Sequence, residues 1–313
     1  MAVSFSRETK ENLSVLPVKP EHCRKAELAV LLSGLGCYAL PRRGVIFLVL
    51  QSDNLPALRR ADFLLRTLYH CVPEVSRMKD PGWLSPLYTV VVREQEAIRR
   101  MLTELGYMNG QGALRELETP VPGKLLQREC CRKAFLRASF LLQGTISDPK
   151  RSYHLEWNTA VPERAEQIRE VLDSLGLHGR ISGRKNGFMV YIKEAEQISD
   201  ALAHMGAFKS RLALEDIRIY RGIQGEVNRQ TNCDTANLRK IADAGTDQAA
   251  AIRKIEEKAG LASLPRDLYD MAVLRLEHPD ASLEELGAML DPPLGKSGVN
   301  HRLRKLRAIA AEL

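Results

Sequence analysis

The 313-residue sequence lacks the long apolar runs that a membrane protein requires. No segment approaches the roughly 18 consecutive apolar residues of a membrane span. The first 16 residues carry scattered charges where a signal peptide would have an apolar core. We therefore expect a cytoplasmic protein that makes no membrane contact.

Motifs for metal binding, disulfide frameworks and nucleotide binding are also missing. The cysteines form no CxxC pair, and no HxH or HExxH motif lies nearby, so neither a zinc site nor a disulfide framework is indicated. We expect free, buried thiols, no metal and no cofactor. The segment 295–297, Gly-Lys-Ser, is not a P-loop because the required upstream glycine would fall at position 290, which is leucine. The six cysteines are Cys23, Cys37, Cys71, Cys130, Cys131 and Cys233.

The residues that are present describe a soluble, basic protein of about two domains. Hydrophobic residues make up 44% and charged residues 27%, which excludes a mainly disordered chain. The 46 Lys and Arg exceed the 39 Asp and Glu, so the formal charge is +7. This excess predicts an anionic partner, with nucleic acid as the first candidate.

An internal repeat organises the first two thirds of the chain. The segment 23–26, Cys-Arg-Lys-Ala, recurs at 131–134, and the following Leu28 and Gly36 recur at the same offset. Matches farther along have smaller offsets, as expected when loops shorten after a duplication. They pair Arg60, Ala61, Leu64 and Leu68 with Arg164, Ala165, Ile168 and Leu172, and Glu94, Ile98, Leu102 and Gly106 with Glu194, Ile198, Leu202 and Gly206.

Apolar spacing, glycines and turn residues predict the order αββαββα in each copy. A linker is predicted at 109–123. The first copy has predicted helices at 28–35, 58–70 and 94–105 and extended segments at 37–40, 45–51 and 87–93, with a turn at 41–44. The second has predicted helices at 132–142, 162–175 and 194–205 and strands at 144–147, 153–157, 180–184 and 188–192.

The first helix of each copy resembles the LAGLIDADG motif of homing endonucleases. The sequences are LAVLLSGLG at 28–36 and LRASFLLQG at 136–144. The resemblance implies that the two motif helices pack together at a pseudo-two-fold interface and that the paired sheets form a saddle over DNA. Nucleases of that family carry an acid before each terminal glycine to hold divalent metals. Here these positions are Leu35 and Gln143, so we expect no catalytic residues and no nuclease activity.

The last third of the chain shows helical patterns only. Helices are predicted at 234–244, 248–259 and 265–277, and Ser282 with Glu285 forms a capping box for a helix ending near 290. Ser297 is the predicted N-cap of a final helix to about 312. The fold class is therefore α+β, a duplicated αββαββα LAGLIDADG-like saddle followed by an all-α helix-turn-helix domain. The predicted units are 1–110, 124–212 and 222–313.

The final helix is predicted to read DNA. An apolar stripe runs along one side, and the segment 296–307 contains five Lys or Arg and no acid. Such a face is also compatible with simple solvation, but the polar residues near the helix start favour recognition of base edges. The stripe comprises Val299, Leu303, Leu306, Ala310 and Leu313. The predicted DNA-binding residues are Lys296, Ser297, Asn300, His301, Arg302, Arg304, Lys305 and Arg307.

Together these parts resemble the WhiA family of bacterial regulators. The segment 228–237, NRQTNCDTAN, with Lys240 and Ala242 after it, is similar to the family's junction signature. The resemblance implies sequence-specific promoter binding and a role in cell division, chromosome segregation or sporulation. Asn228, Asn232 and Asn237 either contact phosphates or cap and cross-link the junction, and we favour the second role.

Three hypotheses follow. The first is a non-enzymatic, nucleoid-associated transcription regulator that binds double-stranded DNA. The second is a nucleoid or interaction protein, with another transcription regulator docked on the saddle. The third is a nuclease that uses displaced acids, such as Asp148.

Overall fold

The computed structural model of the chain describes residues 4–42, 44–79 and 86–313. It divides into two compact units, Met1–Tyr220 and Arg221–Leu313. Within the described ranges, none of the helices combines the length and apolar character that a bilayer span demands.

The first unit contains the predicted αββαββα order twice. A polar helix, α1 (Phe5–Ser14), precedes both copies and was not predicted. The first copy comprises α2 (Glu21–Leu35), β1 (Gly36–Arg42), β2 (Val45–Ser52), α3 (Leu55–Tyr69), β3 (Glu74–Met78), β4 (Leu87–Val92) and α4 (Gln95–Leu105). The second comprises α5 (Glu129–Gln143), β5 (Gly144–Ile146), β6 (Leu155–Thr159), α6 (Pro162–Asp173), β7 (Arg180–Arg184), β8 (Gly187–Ile192) and α7 (Ala195–Met205).

The two copies form four-stranded antiparallel sheets of identical topology. The strand orders are β1-β2-β4-β3 and β5-β6-β8-β7. Residues alternate across each strand, so one face of β2 buries Ile46, Leu48 and Leu50 in the core. The hairpin predicted around 41–44 joins β1 to β2, although Arg43 lies outside the described residues.

Equivalent positions of the copies have equivalent local structure. Gly106 and Gly206 end α4 and α7, each at a φ of 83°, a left-handed conformation that favours glycine. Near the starts of α2 and α5, Lys25 and Lys133 form ion pairs of 2.8 and 2.7 Å with the glutamates four residues earlier, Glu21 and Glu129. The duplication predicted from the sequence is thus confirmed at the level of helix ends.

The motif helices α2 and α5 pack against each other, as the resemblance implies. Gly34 permits the close approach, because a Cβ there would lie 2.6 Å from Cδ1 of Leu142. Their contact also buries a charged group. Glu27 is fully buried and accepts hydrogen bonds from Nε of Arg60 at 2.7 Å and Nε of Arg137 at 3.1 Å.

The segment predicted as a linker is packed into the first unit. Leu117 and Val121 are buried in the core. The side-chain amide of Gln167 accepts from N of Val121 at 2.9 Å and donates to its carbonyl oxygen at 2.8 Å. The glycines and prolines of 109–123 therefore mark turns in an ordered connection.

The second unit is helical and has its own core. Its helices are the end of α8 (Phe208–Ala259), α9 (Arg266–Glu277), α10 (Leu283–Met289) and α11 (Lys296–Glu312). The separate helices predicted at 234–244 and 248–259 are wrong, since α8 is continuous. Gly245 costs helix stability but does not end the helix, and Oγ1 of Thr246 donates to the carbonyl oxygen of Ala242 at 2.9 Å.

Candidate nucleic-acid interface

Helices α9, α10 and α11 form the hydrophobic core that supports the predicted DNA-binding residues of α11. Met271 of α9, Leu286 of α10 and Val299 of α11 are fully buried against one another in a single cluster. The predicted stripe of α11 is confirmed for Val299, Leu303, Leu306 and Ala310, which are all buried. Leu313 is 40% exposed because it lies past the helix end.

The turn between α10 and α11 is tight and closes on a glycine. N of Leu294 donates to the carbonyl oxygen of Gly287 at 2.9 Å. A Cβ on Gly287 would lie 2.0 Å from the carbonyl oxygen of Leu294, so no other residue fits without backbone movement. The predicted capping box at the start of α10 is confirmed, since Ser282 and Glu285 each accept from the other's backbone N.

A buried arginine fixes the connection from α9 to α10. Arg275 is 2% exposed, and its Nη1 donates to the carbonyl oxygens of His278, Pro279 and Ala281 at 3.2, 3.1 and 2.8 Å. Burial lowers the pKa of Arg275, and the nearby Asp280 opposes this shift. The capping role of Arg275 was not predicted from the sequence, although a basic side chain in the last turn of a helix is a known capping signal.

Helix α11 begins at Lys296, two residues earlier than it would if Ser297 were its N-cap. Its N-cap is Gly295, and no side chain caps the first turn, so the prediction of Ser297 as N-cap is wrong. The first turn also contains no acid. Uncapped N–H groups at the start of a helix are suited to contact with a phosphate.

The structure separates the eight predicted residues by position around α11. Two are half-buried: Asn300, and Arg302, whose Nε lies 3.9 Å from Oδ2 of Asp267 on α9. Arg302 is therefore drawn toward the helical core and away from the exposed face. The six exposed residues are Lys296, Ser297, His301, Arg304, Lys305 and Arg307.

Part of this face borders a cavity of about 340 Å³ within the second unit. Its lining carries four cations and no carboxylate. Lys240 was not among the DNA-binding residues predicted from the sequence, but it lines this cavity together with Arg304 and Arg307 of α11. The polar and charged lining residues are Lys240 and Gln248 of α8, Arg275 of α9, and Asn300, Arg304 and Arg307 of α11.

The three asparagines of the junction signature lie inside α8. Asn228, Asn232 and Asn237 are all exposed, and none caps a helix because α8 continues through them. The structure therefore does not support helix capping by these asparagines, which was part of the structural role that we favoured from the sequence.

The helix ends that would hold nuclease metals carry no acids. Leu35 is buried, and Gln143 is half-buried beside Ser33, Ser139 and Arg164, where Arg164 donates to Oγ of Ser33. No carboxylate lines that small cavity. The displaced acid considered from the sequence, Asp148, is exposed and accepts from N of Lys150.

One group of potential metal ligands does occur among the described residues, at the opposite ends of the same helices. His22, Cys23, Cys130 and Cys131 lie together at the starts of α2 and α5. The sequence predicted free, buried thiols, but Cys37, Cys130 and Cys233 are exposed, so the prediction of burial is wrong for these three. The group itself was not predicted, because its two adjacent pairs are more than 100 residues apart. The pKa of the Cys23 thiol is raised to about 12, mainly by burial and to a lesser extent by a hydrogen bond with Cys130.

Comparisons with known proteins cover both units. Residues 227–310 match the family model of the WhiA C-terminal HTH domain, and residues 132–224 match that of the WhiA LAGLIDADG-like domain. A curated relative from Heliobacterium modesticaldum, named "Probable cell division protein WhiA", is 38% identical and covers 98% of this chain and 96% of its own length. A protein of the same name from Clostridium acetobutylicum is 39% identical, with coverages of 95% and 96%.

A solved structure agrees at the level of the fold. The crystal structure of full-length DUF199/WhiA from Thermatoga maritima superposes with a TM-score of 0.60 at 24% identity, and covers 100% of this chain and 99% of its own. The identity to relatives over nearly the whole length, together with both domain matches, shows that this chain belongs to the WhiA family.

Proposed function

We propose that this chain is a non-enzymatic transcription regulator that binds specific double-stranded DNA sequences through α11. The observation that carries the proposal is the exposed face of α11, which is basic and free of acids over 296–307. Lys and Arg on such a face attract the phosphate backbone, whose contacts make affinity fall steeply with salt.

Base recognition requires side chains that protrude from a rigid support. His301, Arg304 and Lys305 lie on the side of α11 opposite the buried Val299 and Leu306. Arginine pairs with guanine in the major groove, and asparagine pairs with adenine. The tight α10–α11 turn supports the proposal that α11 is the recognition helix.

The wider biological role belongs to the same proposal. The relatives' names support a part in cell division, and we extend this to chromosome segregation or sporulation at a cytoplasmic, nucleoid-associated location. The absence of acids at Leu35 and Gln143 argues against DNA cleavage.

The test is a comparison of cognate and random DNA. A genome-wide binding map supplies cognate sites, and dissociation constants are then measured at one salt concentration. We expect Arg304→Ala to weaken cognate binding about 10- to 100-fold, since one base contact contributes about 1–3 kcal/mol. Random DNA should lose only a few-fold. Arg266→Ala, which removes an exposed arginine from the start of α9, is the control. Equal losses on both DNAs would refute base readout.

A second proposal concerns the saddle, whose first sheet favours a protein partner over DNA. The face of this sheet turned away from the core carries the apolar residues Phe47, Val49, Val91 and Met78 and the polar residues Gln51, Glu74, Ser76 and Thr89. Among the side chains described on its strands, this face has no Lys or Arg. Arg93, just past β4, covers the Phe47 ring and pairs with Glu74 at 2.9 Å.

A face of mixed apolar and polar side chains that has an acid, Glu74, and no Lys or Arg among the described side chains on its strands is poorly suited to phosphates, so we propose that it docks another regulator. The fragment 211–313, which retains the core of the second unit, separates the alternatives. We expect it to bind cognate DNA like the full chain. Tenfold tighter binding by the full chain would assign DNA affinity to the saddle and remove this second proposal.

A further inference from the structure

The two LAGLIDADG-like helices begin at the same small cluster of histidine and cysteine side chains. His22 and Cys23 are the second and third residues of α2, and Cys130 and Cys131 hold the same places in α5. The repeat relates His22 to Cys130 and Cys23 to Cys131. Each copy thus contributes one adjacent pair, and the packing of α2 on α5 brings the pairs together.

The distances within the group suit a single ion. Nδ1 of His22 lies 3.2 Å from Sγ of Cys131, 3.3 Å from Sγ of Cys23 and 4.0 Å from Sγ of Cys130. All four ligand atoms lie within 4.8 Å of one another. Tetrahedral zinc, with bonds of about 2.3 Å to sulfur and about 2.0 Å to nitrogen, separates its ligand atoms by about 3.5–3.8 Å. Small side-chain rotations are enough to reach that geometry.

The donor set selects the metal. Three thiols and one imidazole are ligands for zinc, whereas magnesium and calcium prefer oxygen. Four protein ligands fill a tetrahedral site and leave no open position for substrate, as in structural zinc sites.

The surroundings of the group are small and apolar on one side and accessible on the other. Cys23 and Cys131 are buried with Ala26 and Ala134 in a cluster separate from the main core. Cys130 is exposed, which provides an entry path for an ion.

Cations are available to balance the complex. Three thiolates and one Zn²⁺ carry a net charge of −1, and the positive ends of α2 and α5 both lie at the group. Arg24 and Arg132 directly follow the two ligand pairs. The Nε of each is buried and has no hydrogen-bond acceptor among the described residues.

We propose that His22, Cys23, Cys130 and Cys131 bind one Zn²⁺ that cross-links the two repeats at the starts of α2 and α5. The ion is structural: it joins residues 108 positions apart and stabilises the pairing of the motif helices. Binding requires loss of the thiol protons, so affinity falls as the pH is lowered.

The first experiment measures zinc in the full-length chain, purified without a polyhistidine tag under reducing conditions. We expect about one zinc per chain. Cys131→Ser should abolish most of this content, whereas Cys37→Ser, the same change at an exposed cysteine outside the group, should retain it. Equal zinc content in the two variants, or a wild-type chain that takes up no added zinc, would overturn the proposal.

A second measurement does not depend on the folding of a variant that has lost a ligand. Cobalt(II) added to the metal-free wild-type chain should give the visible absorption of a tetrahedral site and thiolate-to-cobalt charge transfer. His22→Cys should still bind cobalt, with charge transfer increased from three thiolates to four. A cobalt spectrum of octahedral type would overturn the site, as would a disulfide between Cys23 and Cys131 that persists in the chain freshly purified under reducing conditions.

Discussion

The buried carboxylate of Glu27 offers the sharpest test of how the first unit is held together. Glu27 is fully buried at the contact of α2 with α5, where it accepts from Arg60, 1% exposed, and from Arg137, 7% exposed. We predict that Glu27→Gln destabilises the unit strongly. The amide has the size of the carboxylate, but it leaves two buried guanidinium groups without an anion.

The magnitude follows from the cost of an uncompensated buried charge. Removing one partner of a buried ion pair costs about 3–5 kcal/mol. For a unit of this size, 1 kcal/mol corresponds to about 2–4 °C, so the Tm should fall by roughly 6–20 °C. This cost applies only when one partner is removed and the others stay charged. Replacement of all three groups by apolar residues is often neutral or stabilising.

The assay is urea and thermal unfolding of the full chain, followed by a probe in the first unit such as the fluorescence of the buried Trp157. Glu74→Gln is the matched control, since Glu74 pairs with Arg93 on the surface and should contribute less than about 1 kcal/mol. If Glu27→Gln lowers the free energy of unfolding no more than Glu74→Gln does, then Glu27 does not neutralise the two arginines.

Two further predictions concern other elements. Gly287→Ala should destabilise the second unit by about 1–3 kcal/mol and weaken DNA binding, because the new Cβ meets the carbonyl oxygen of Leu294; unfolding of the fragment 211–313 measures the first effect. Burial lowers the pKa of Lys10 to about 8, with Asp53 opposing, so between pH 8 and 10.5 this lysine is less protonated in the folded chain than in the unfolded chain. Lys10 by itself therefore makes the free energy of unfolding rise with pH across this interval, whereas buried thiols such as Cys23, whose pKa is raised, act in the opposite direction. The difference in stability between wild type and Lys10→Met, measured by urea unfolding at pH 7 and pH 10, isolates the lysine: wild type should gain relative to the variant as the pH is raised.

The repeated architecture could be predicted because its signals are local. Glycines such as Gly106 and Gly206 mark helix ends, and alternating apolar residues mark strands, so the pairs of matching segments identify equivalent elements. The buried stripe of α11 was predictable for the same reason, since one face of a helix shows in its spacing.

Elements stabilised by distant contacts could not be predicted. Helix α1 is polar, and it is anchored by the buried Leu13 and by a 2.8 Å hydrogen bond between the hydroxyls of Thr9 and Ser210. Helix α8 crosses glycines that a local interpretation takes as ends. In α1 tertiary packing overrides weak local preference, whereas α8 is almost entirely exposed over 222–240 and its continuity across Gly222 and Gly225 is not explained by contacts.

The basic face of α11 was visible in the sequence, but its surroundings were not. The ion pair of Arg302 with Asp267 and the cavity that Lys240 shares with Arg304 depend on how three helices meet. The group of potential metal ligands that includes His22 was not predicted for a related reason, because spacing rules for zinc sites assume ligands that are close in sequence. The alignment of Cys23 with Cys131, on helices expected to pack together, was the one signal that could have indicated it.

The buried charges also favour pairing of α2 with α5 of the same chain over pairing of either helix with a copy of itself. The repeat equivalent of Glu27 is Phe135, and that of Arg137 is Ala29. Pairing α2 with a second α2 would bury two Glu27 carboxylates at the contact without Arg137. Pairing two copies of α5 would bury two Arg137 side chains with no acid. An unpaired buried charge costs several kcal/mol, which disfavours the α5 pair, whereas an α2 pair would keep Arg60 beside each Glu27 and lose only the bond from Arg137. The similar helices therefore retain an interface that closes within one chain.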